Sequence, residues 1–472
     1  MSWKVCSYIF SFTKLFKEIV IYSYYPNNHR LNEIVQSIQG CGCTMIKLTQ
    51  WLIPIIQVNG DLKERFSNEI SKLDIVYDNC SEHSIEDTER VYKEDFQKNI
   101  YEDYKIISLI ASASMGQVYK VMDLNDNQYY ALKVLHPDVK HQIKTLRYIG
   151  FIINHLPYLK RWVKHYIPFD LNELINTFEI QTNMVSEANN CMRFKKMYSG
   201  NECIIIPEIL KVSSRCLVMS YEESEKVNEL DTELIRNIKS YMLYYCFIMN
   251  NTFINKFIHG DLHKGNWGIR KGETPKMIIY DFGFCWELPR WIHPSLDDFE
   301  RYYNEYDNLN YMKLNFKEFN EKTVEFFNTI MQKEVITIED IINLRNSYKT
   351  SDDKHLVSDL LYIVRKKNLT IDSIIFNVCL LFIINIQISD KITISKEREV
   401  TSCIKKDFCD SLGPETIHFC EYYNIFSELK NFTDKRILQY RNEINYKGTL
   451  FESIEEKLSN KHDLLKELAL TS

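Results

Sequence analysis

Two short motifs in the second half of the chain place acidic and amide side chains at a spacing that suits phosphate chemistry. The first, His-Gly-Asp-Leu-His-Lys-Gly-Asn over residues 259–266, puts Asp261 five residues before Asn266. The second, Asp-Phe-Gly, starts at Asp281 directly after the apolar run Ile278–Tyr280, which predicts a short buried strand that presents this carboxylate. Oxygen ligands from neighbouring turns suit Mg²⁺, which takes its remaining ligands from water and phosphates. The two motifs therefore indicate a metal–phosphate site with Asn266 and Asp281 as ligands.

A lysine and a turn of small residues lie upstream of these motifs. Ala131-Leu-Lys133 stands near the end of a predicted strand, and the turn Ile-Ala-Ser-Ala-Ser-Met-Gly-Gln-Val (110–118) precedes it by one hairpin. Small side chains let backbone N–H groups approach phosphates closely, although Gly116 is the only glycine in this turn. A lone lysine at a strand end is usually solvated, and the adjacent turn is what makes Lys133 a candidate phosphate ligand. The predicted nucleotide-binding residues of the turn are Ala111, Ser112, Ala113, Ser114, Met115, Gly116 and Val118.

The elements that must position these groups follow from hydrophobic periodicity. Residues 1–100 are predicted to be mostly helical, residues 138–200 return to a helical pattern, and most of 230–470 is helical except for a hairpin-like segment that carries both motifs. This pattern predicts an α+β, two-lobed, kinase-like fold with a helical extension (1–100), a small lobe (101–222) and a helical large lobe (223–472). The predicted strands are Lys105–Ile110, Gln117–Asp123, Gln128–Leu135, Cys203–Ile206 and Arg215–Ser220, with a turn at Leu124–Asn127.

Composition narrows the class of protein. The 472 residues carry a net charge of -6, so the chain lacks the basic footprint of a nucleic-acid binder. The 13 scattered cysteines favour reduced thiols in an intracellular, reducing compartment over a disulfide or zinc framework. No clear signal peptide is expected, and the N-terminal amphipathic segment favours core packing over membrane contact. The apolar stretch Ile374–Ile388 is too short to span a bilayer and is predicted to be a buried helix.

The alanine-rich loop gives the sequence a specific resemblance. Ala-Ser-Ala-Ser-Met-Gly-Gln-Val-Tyr-Lys-Val (111–121), followed by Ala-Leu-Lys-Val-Leu-His-Pro-Asp-Val (131–139), resembles the UbiB-like atypical kinases, also called aarF-domain kinases. These proteins carry A-S-x-x-Q-V in place of a glycine-rich loop. Their helical extension bears K-x-G-Q, which Lys47-Leu-Thr-Gln50 resembles here, and a later E-x-D and Glu-Ala are matched by Gln181-Thr-Asn183 and Glu187-Ala188. The resemblance covers roughly residues 35–300.

This resemblance implies a role for each motif residue. Lys133 pairs with Glu187 and contacts the α- and β-phosphates of ATP, and Asp261 is the base or water-orienting carboxylate. Backbone groups at Met219 and Tyr221 hold adenine at the hinge between the lobes. The implied cofactors are Mg²⁺ and ATP. The family is often connected with isoprenoid quinone or other lipid pathways, so a lipid or isoprenoid small molecule is a further implied partner, while the substrate stays open.

Two departures from the family pattern bear on this expectation. Thr49 replaces the glycine of K-x-G-Q, and Gln181 and Asn183 replace two acidic residues, which removes two negative charges beside the nucleotide. Either the metal or nucleotide preference differs, or the two amides are ordinary polar helix residues. If Lys47 and Gln50 project into the cleft as a gating extension, a polypeptide substrate cannot reach the γ-phosphate. The alternative is that Leu48 and Trp51 pack in the core while the polar pair faces water.

Other interpretations compete with an active enzyme. His259 and His263 could be zinc ligands, but histidines in such a loop more often brace the backbone through hydrogen bonds. A nucleotide-binding pseudokinase scaffold is the main alternative function, and the presence of Lys133, Asp261, Asn266 and Asp281 together favours the enzyme. A small-molecule kinase of the choline or aminoglycoside type would lack the extension. Residues after about 300 carry no recognised motif.

Overall fold

The computed structural model describes residues 3–25, 27–58, 69, 82–112, 115–166, 171–201, 203–225, 243, 244, 247, 248, 250–262, 265–270, 276–292, 316–346, 356–372, 375 and 377. The sequence predictions for Ala113, Ser114, His263 and most of Ile374–Ile388 lie outside these residues. The described part is a mixed α and β architecture in which a β-rich small lobe is followed by a largely helical large lobe.

The small lobe is built on a five-stranded sheet with the order β1-β2-β3-β6-β5 and antiparallel neighbours throughout. In this sheet Lys133 lies opposite Val118 on one neighbouring strand and Leu217 on the other. The sequence missed β5, because a four-residue strand next to a turn shows little alternation. The strand bounds are β1 Tyr104–Ser112, β2 Gly116–Asp123, β3 Tyr129–Leu135, β4 Ile204–Ile205, β5 Ile209–Val212 and β6 Cys216–Ser220. Of these, β4 belongs to a second sheet in the large lobe.

Along the chain, helices precede β1 and follow β3. Ser84 caps the helix that precedes β1 by accepting from the backbone N–H of Asp87, and Gln97 ends that helix in the left-handed conformation. A capping box at Asn99 and Glu102 then turns the chain into β1. The helix bounds in the small lobe are α4 Ile85–Phe96, α5 Ile100–Asp103, α6 Val139–His155, α7 Pro157–Tyr166, α8 Leu171–Ile180 and α9 Met184–Met197.

The large lobe carries both site motifs on short strands. Strands β8 and β9 form the predicted hairpin-like segment, with Trp267 opposite Ile279, and β4 pairs in parallel with β9. A π-helical turn over Asn250–Ile254 precedes β7, which pairs with β10. The remaining bounds are β7 Phe257–His259, β8 Trp267–Arg270, β9 Lys276–Ile279, β10 Cys285–Glu287, α10 Phe316–Met331, α11 Ile338–Asn346 and α12 Leu356–Lys366.

The N-terminal extension consists of α1 Trp3–Tyr24, α2 Asn28–Gly40 and α3 Cys43–Val58. Leu48 and Trp51 on α3 belong to the same hydrophobic core as Phe178 of the small lobe and Phe282 of the large lobe. The extension is therefore packed into the body of the protein. Within the described part of the chain, no helix combines the length and hydropathy that crossing a membrane requires.

A pair of histidines connects the segment before α4 to the start of β2 and the end of β3. The Nδ1 atoms of His83 and His136 lie 2.7 Å apart, and Nε2 of His83 lies 2.8 Å from the hydroxyl of Thr88. The backbone N–H of His83 donates to Gln117 at the start of β2, and the backbone N–H of His136 donates to the carbonyl of Met115. Because only one proton can lie between the two Nδ1 atoms, the two rings cannot both be charged.

Burial and the neighbouring His136 lower the pKa of His83 to about 4, with Arg90 acting in the same direction and Asp87 opposing it. We therefore expect the free energy of unfolding to fall as the pH drops from about 6.5 to about 4, since the unfolded chain then binds a proton that the folded chain refuses. The slope for one proton is at most about 1.4 kcal/mol per pH unit. Urea denaturation at several pH values measures it. His83→Gln should flatten the dependence in this window, and an identical slope in the variant would contradict the assignment.

Candidate active site

Lys133 lies at the centre of a buried charge cluster. Strand β3 carries its side chain between the two lobes, where Nζ donates to both carboxylate oxygens of Glu187 at 2.7 and 2.9 Å and to Oδ2 of Asp281 at 2.8 Å. Burial alone would lower the pKa of Lys133, but the negative charges of Asp281 and Glu187 outweigh it and raise this pKa. The lysine is therefore a fixed cation. Lys133 and Glu187, which are 54 positions apart in the sequence, form the predicted ion pair.

Glu187 reaches the cluster from the first turn of α9, in the core of the protein. Its carboxylate also lies 3.4 Å from the backbone N–H of Phe282, so one side chain contacts both the lysine and the Asp-Phe-Gly motif. Burial raises the pKa of Glu187, since Lys133 only partly offsets the loss of water around the carboxylate. One turn further along α9, Asn190 donates to the carbonyl of Phe282 at 2.9 Å. Helix α9 therefore fixes the position of the motif at two points.

Asp281 follows β9 directly, as the apolar run before it predicts. Its Oδ1 accepts from the backbone N–H of Gly283 at 2.9 Å, while Oδ2 receives the lysine. Although burial opposes it, the ammonium of Lys133 holds the pKa of Asp281 well below its usual range, with help from the Gly283 N–H. Asp281 is therefore an ionised carboxylate at all ordinary pH values. The neighbouring Phe282 packs against Phe194 in the core.

His259 braces the loop that carries Asp261. Its Nε2 bonds to the carbonyl of Asp281, and its Nδ1 lies 3.4 Å from the backbone N–H of Asp261, so the imidazole is a neutral bridge between the two motifs. Among the described residues, no group of three or more His, Cys, Asp or Glu side chains is arranged to hold a metal ion. Asn266 closes the same loop, since its Nδ2 donates to the carbonyl of Asp261 at 2.7 Å.

Gly260 makes room for this loop to approach β10. A Cβ atom at this position would lie 1.8 Å from the ring of Trp286 and 2.9 Å from that of Phe284. Any side chain at position 260 would therefore push the loop away from the strand that it packs on. The need for glycine at position 260 could not be predicted from the sequence, because Trp286 does not belong to a recognised motif.

The extension enters the site through Lys47. This side chain is buried, with 3 % of its surface exposed, and its Nζ forms an ion pair with Oδ2 of Asp261. Leu48 and Trp51 do pack in the core, as the alternative interpretation stated, and Trp51 stacks on Phe284 with ring centroids 5.0 Å apart. The second half of that alternative is wrong, because Lys47 faces Asp261 instead of water. Gln50, predicted to act with it, is half-buried.

The alanine-rich loop, predicted to bind phosphates, lies between β1 and β2. Ala111 and Ser112 end β1 opposite Val118 and Gln117. Gly116 begins β2, where a Cβ atom would lie 2.4 Å from the carbonyl oxygen of Val134, so a glycine is required for this strand to pack on β3. Met115 is buried in the core.

The predicted hinge follows β6. Met219 is buried near the end of this strand, and Tyr221 stands just beyond it with Nζ of Lys120 4.2 Å from its ring centroid. The side chain of Tyr221 thus makes a cation–π contact within the small lobe. Glu222 pairs with Arg270 on β8, which joins the hinge to the large lobe.

The two amides that depart from the family pattern have different positions from those predicted. Gln181 and Thr182 form the turn between α8 and α9, and Asn183 is the N-cap of α9, with its side chain accepting from the N–H of Val185 at 3.0 Å. The interpretation of Gln181 and Asn183 as ordinary helix residues is therefore wrong. Both lie between the two helices, where the side chain of Asn183 accepts a hydrogen bond from the first turn of α9. Gln181 is buried, and its Nε2 has no hydrogen-bond partner within the described residues.

Comparison with known proteins agrees with this architecture. The fold and site define an α+β, two-lobed, protein-kinase-like protein with a helical extension. Residues 75–325, more than half of the chain, match the family model described as the ABC1 atypical kinase-like domain. The chain belongs to this family, and the resemblance to UbiB-like kinases read from the sequence is confirmed.

Several curated proteins are similar over the same region. The "Probable serine/threonine-protein kinase abkC" of Dictyostelium discoideum is 26% identical over 258 residues, covering 52% of this chain and 36% of that protein. The "Protein ACTIVITY OF BC1 COMPLEX KINASE 3, chloroplastic" of Arabidopsis thaliana is 31% identical over 193 residues, or 38% and 26% of the two chains. The "Probable protein kinase UbiB" of Aliivibrio salmonicida is 27% identical over 204 residues, or 40% and 37%. The chain thus spans well under half the length of these relatives.

The chain also shows a likeness of low similarity to a solved structure. In the erythromycin complex of a Mycobacterium tuberculosis protein, 80% of that chain and 61% of this chain align at 18% identity, with a TM-score of 0.40.

Removal of the Lys133 cation should destabilise the protein. Lys133→Met leaves the buried carboxylate of Glu187 and the half-buried carboxylate of Asp281 without their shared counter-charge. We expect the free energy of unfolding to fall by about 3 kcal/mol in urea denaturation. Lys195→Met is the matched control, because Lys195 pairs with Glu208 at 3.5 Å on the surface. Exposed pairs contribute at most about 1 kcal/mol. Equal losses in the two variants would show that burial of the cluster has no energetic consequence.

Proposed function

We propose that this protein is an atypical kinase or ATPase that uses Mg²⁺ and ATP. The observation that carries the proposal is the triple contact of the Lys133 ammonium with Glu187 and Asp281. A lysine held by a helix carboxylate beside a metal-binding aspartate is what phosphate binding in kinase-like folds requires.

The donor atoms in the site fit a Mg²⁺ ion. Asn266 uses its Nδ2 to hold the Asp261 carbonyl, which leaves the amide oxygen as its ligand atom. Asp281 is ionised and partly exposed toward the cleft. A hard cation prefers this combination of carboxylate and amide oxygen. When bound, the ion would neutralise negative charge on the phosphates, and Lys133 would turn from Asp281 toward the α- and β-phosphates while keeping Glu187.

Asp261 is the group that would accept a proton or orient water. It carries this role only when Lys47 withdraws, since the paired ammonium occupies the hydrogen-bonding surface of the carboxylate. A small hydroxyl compound or a water molecule can replace Lys47 at Asp261 more readily than a folded polypeptide can. The site therefore favours water or a small molecule as phosphoryl acceptor over a protein substrate.

A nucleotide-binding pseudokinase scaffold is the second candidate function. The contact between Lys47 and Asp261 favours it, because a permanently paired carboxylate gives binding without turnover. Phosphate release from ATP distinguishes the two functions. It should be measured with and without lipid vesicles, an isoprenoid quinone and detergent, because a lipid or isoprenoid partner is part of the proposal.

Binding of Mg·ATP or Mg·ADP should raise the melting temperature of the protein, since the ligand binds the native state preferentially. At a concentration about 100 times Kd the stabilisation is about 2.7 kcal/mol. Asp281→Asn should lose the magnesium-dependent part of the shift first. Glu86→Gln, which changes an exposed carboxylate on α4, should keep all of it. The absence of any shift at millimolar nucleotide would rule out the proposed function.

The gating extension can be tested with a Lys47→Ala, Gln50→Ala variant. Removing the ammonium frees Asp261 and opens the cleft, so we expect autophosphorylation to rise severalfold and nucleotide affinity to change. The measurements are incorporation of labelled phosphate and nucleotide titration. Rates and affinity equal to those of the wild type would contradict gating, as would rapid phosphorylation of generic protein substrates by the wild-type protein.

A further inference from the structure

The N-terminus of helix α3, which carries Lys47, has no capping side chain from the residue that precedes it. The residue before it is Gly42, whose carbonyl accepts from the N–H groups of Met45 and Ile46 at 3.1 and 3.2 Å, which makes it the N-cap residue. Its φ of +88° lies in the left-handed region that suits glycine. An N-cap side chain normally accepts from the second or third N–H of the helix, and glycine has no side chain to do so. The N–H of Thr44 therefore needs an acceptor from elsewhere.

Gln142 supplies that acceptor from the other side of the fold. It lies 98 residues later on α6, is buried, and its Oε1 accepts from the N–H of Thr44 at 3.1 Å and from the Thr44 hydroxyl at 3.3 Å. A Cβ atom at Gly42 would lie 2.5 Å from Cδ of Gln142. The carboxamide of Gln142 thus occupies the place where an N-cap side chain would stand.

The same carboxamide joins a third helix to this point. Its Nε2 donates to the hydroxyl of Tyr8 on α1 at 3.3 Å. Burial raises the pKa of Tyr8, so the hydroxyl stays protonated and can itself donate elsewhere. Gln142 is therefore the meeting point of α1, α3 and α6.

The cap lies one turn from the lysine that holds the catalytic carboxylate. Thr44 and Lys47 are three residues apart on α3, so they share a face of the helix. Lys47 pairs with Asp261, and the next turn is fixed by the packing of Trp51 against Phe284. The first turn of α3 is thus the part of the extension whose order depends on Gln142.

We propose that Gln142 is a positioning residue that caps α3 from α6 and thereby holds Lys47 on Asp261. Loss of the cap lets the first turn fray, and Lys47 then leaves Asp261 more often. The position of α6 relative to α3 consequently sets how often the active site is open. The consequence for catalysis rests on the proposed function, while the placement of Lys47 does not.

Gln142→Met tests the proposal, because methionine has nearly the shape of glutamine but provides only a weak thioether acceptor. The accessibility of Lys47 is measured in the full-length protein by amine acetylation with mass spectrometry, together with hydrogen exchange of the amides of residues 43–48. Loss of one cap changes the equilibrium at a helix start about fivefold, so both rates should rise about fivefold. Autophosphorylation should rise in the same direction as in the Lys47→Ala, Gln50→Ala variant.

Two further variants separate positioning from general loosening of the structure. Gln142→Glu keeps an acceptor at the helix start and should return acetylation and exchange to the wild-type rates. Gln36→Leu replaces an exposed glutamine on α2 and should change neither rate. If Gln142→Met does not fold, Thr44→Val removes the hydroxyl contact from the other side and should give a smaller rise.

Wild-type rates of Lys47 acetylation and exchange in Gln142→Met would overturn the proposal. So would an equal rise in Gln142→Met and Gln142→Glu. Neither readout depends on nucleotide, and a wild-type protein that fails to bind Mg·ATP would count against the proposed function alone.

Discussion

The ammonium group of Lys133 lies between the buried carboxylate of Glu187 and the half-buried carboxylate of Asp281, and its position depends on three parts of the chain meeting at one point. Strand β3 supplies the cation, α9 supplies Glu187, and the turn after β9 supplies Asp281. Removing a charge from water is costly unless opposite charges and hydrogen bonds replace the water. The two lobes are therefore held in register by electrostatics at the site as well as by the apolar core around it. Such a cluster is also a poor choice for stability alone, which is consistent with a functional reason for keeping it.

Lys47 and Asp261 form a further ion pair in the site, in which each charge again offsets the cost of removing the other from water. Here the cation comes from the N-terminal extension, whose helix α3 is part of the central core. Together the Lys133 cluster and the pair of Lys47 with Asp261 bring two ammonium groups and three carboxylates into one region. The amides at Gln181 and Asn183 add no charge to this balance, and Asn183 is needed for capping α9.

Much of this arrangement could be predicted from the sequence because the essential groups lie in short, ordered motifs. The strand before Asp281 and the lysine on β3 followed from residue types and spacing, and the pairing of Lys133 with Glu187 followed from the family resemblance. Contacts that depend on distant segments could not be predicted in this way. The clash that makes Gly260 necessary involves Trp286, and the cap on α3 comes from a residue 98 positions away. In both cases one residue belongs to a recognisable local pattern, whereas the residue that it contacts is distant in the sequence. Only the tertiary fold brings the two together.

The packing of Trp51 limits the kind of motion by which the cleft can open. This side chain stacks on Phe284 and lies 5.1 Å from Phe178 between ring centroids, with 4 % of its surface exposed. Returning a buried tryptophan to water costs on the order of 4–6 kcal/mol, from about 25 cal/mol per Å² over roughly 150–250 Å². A swing of the whole extension would therefore be populated about once in a thousand molecules or less. Under the proposed gating by Lys47, access to Asp261 therefore comes from loosening of the first turn of α3 while Trp51 stays packed. The entrance should then admit only ligands about as wide as a single displaced side chain.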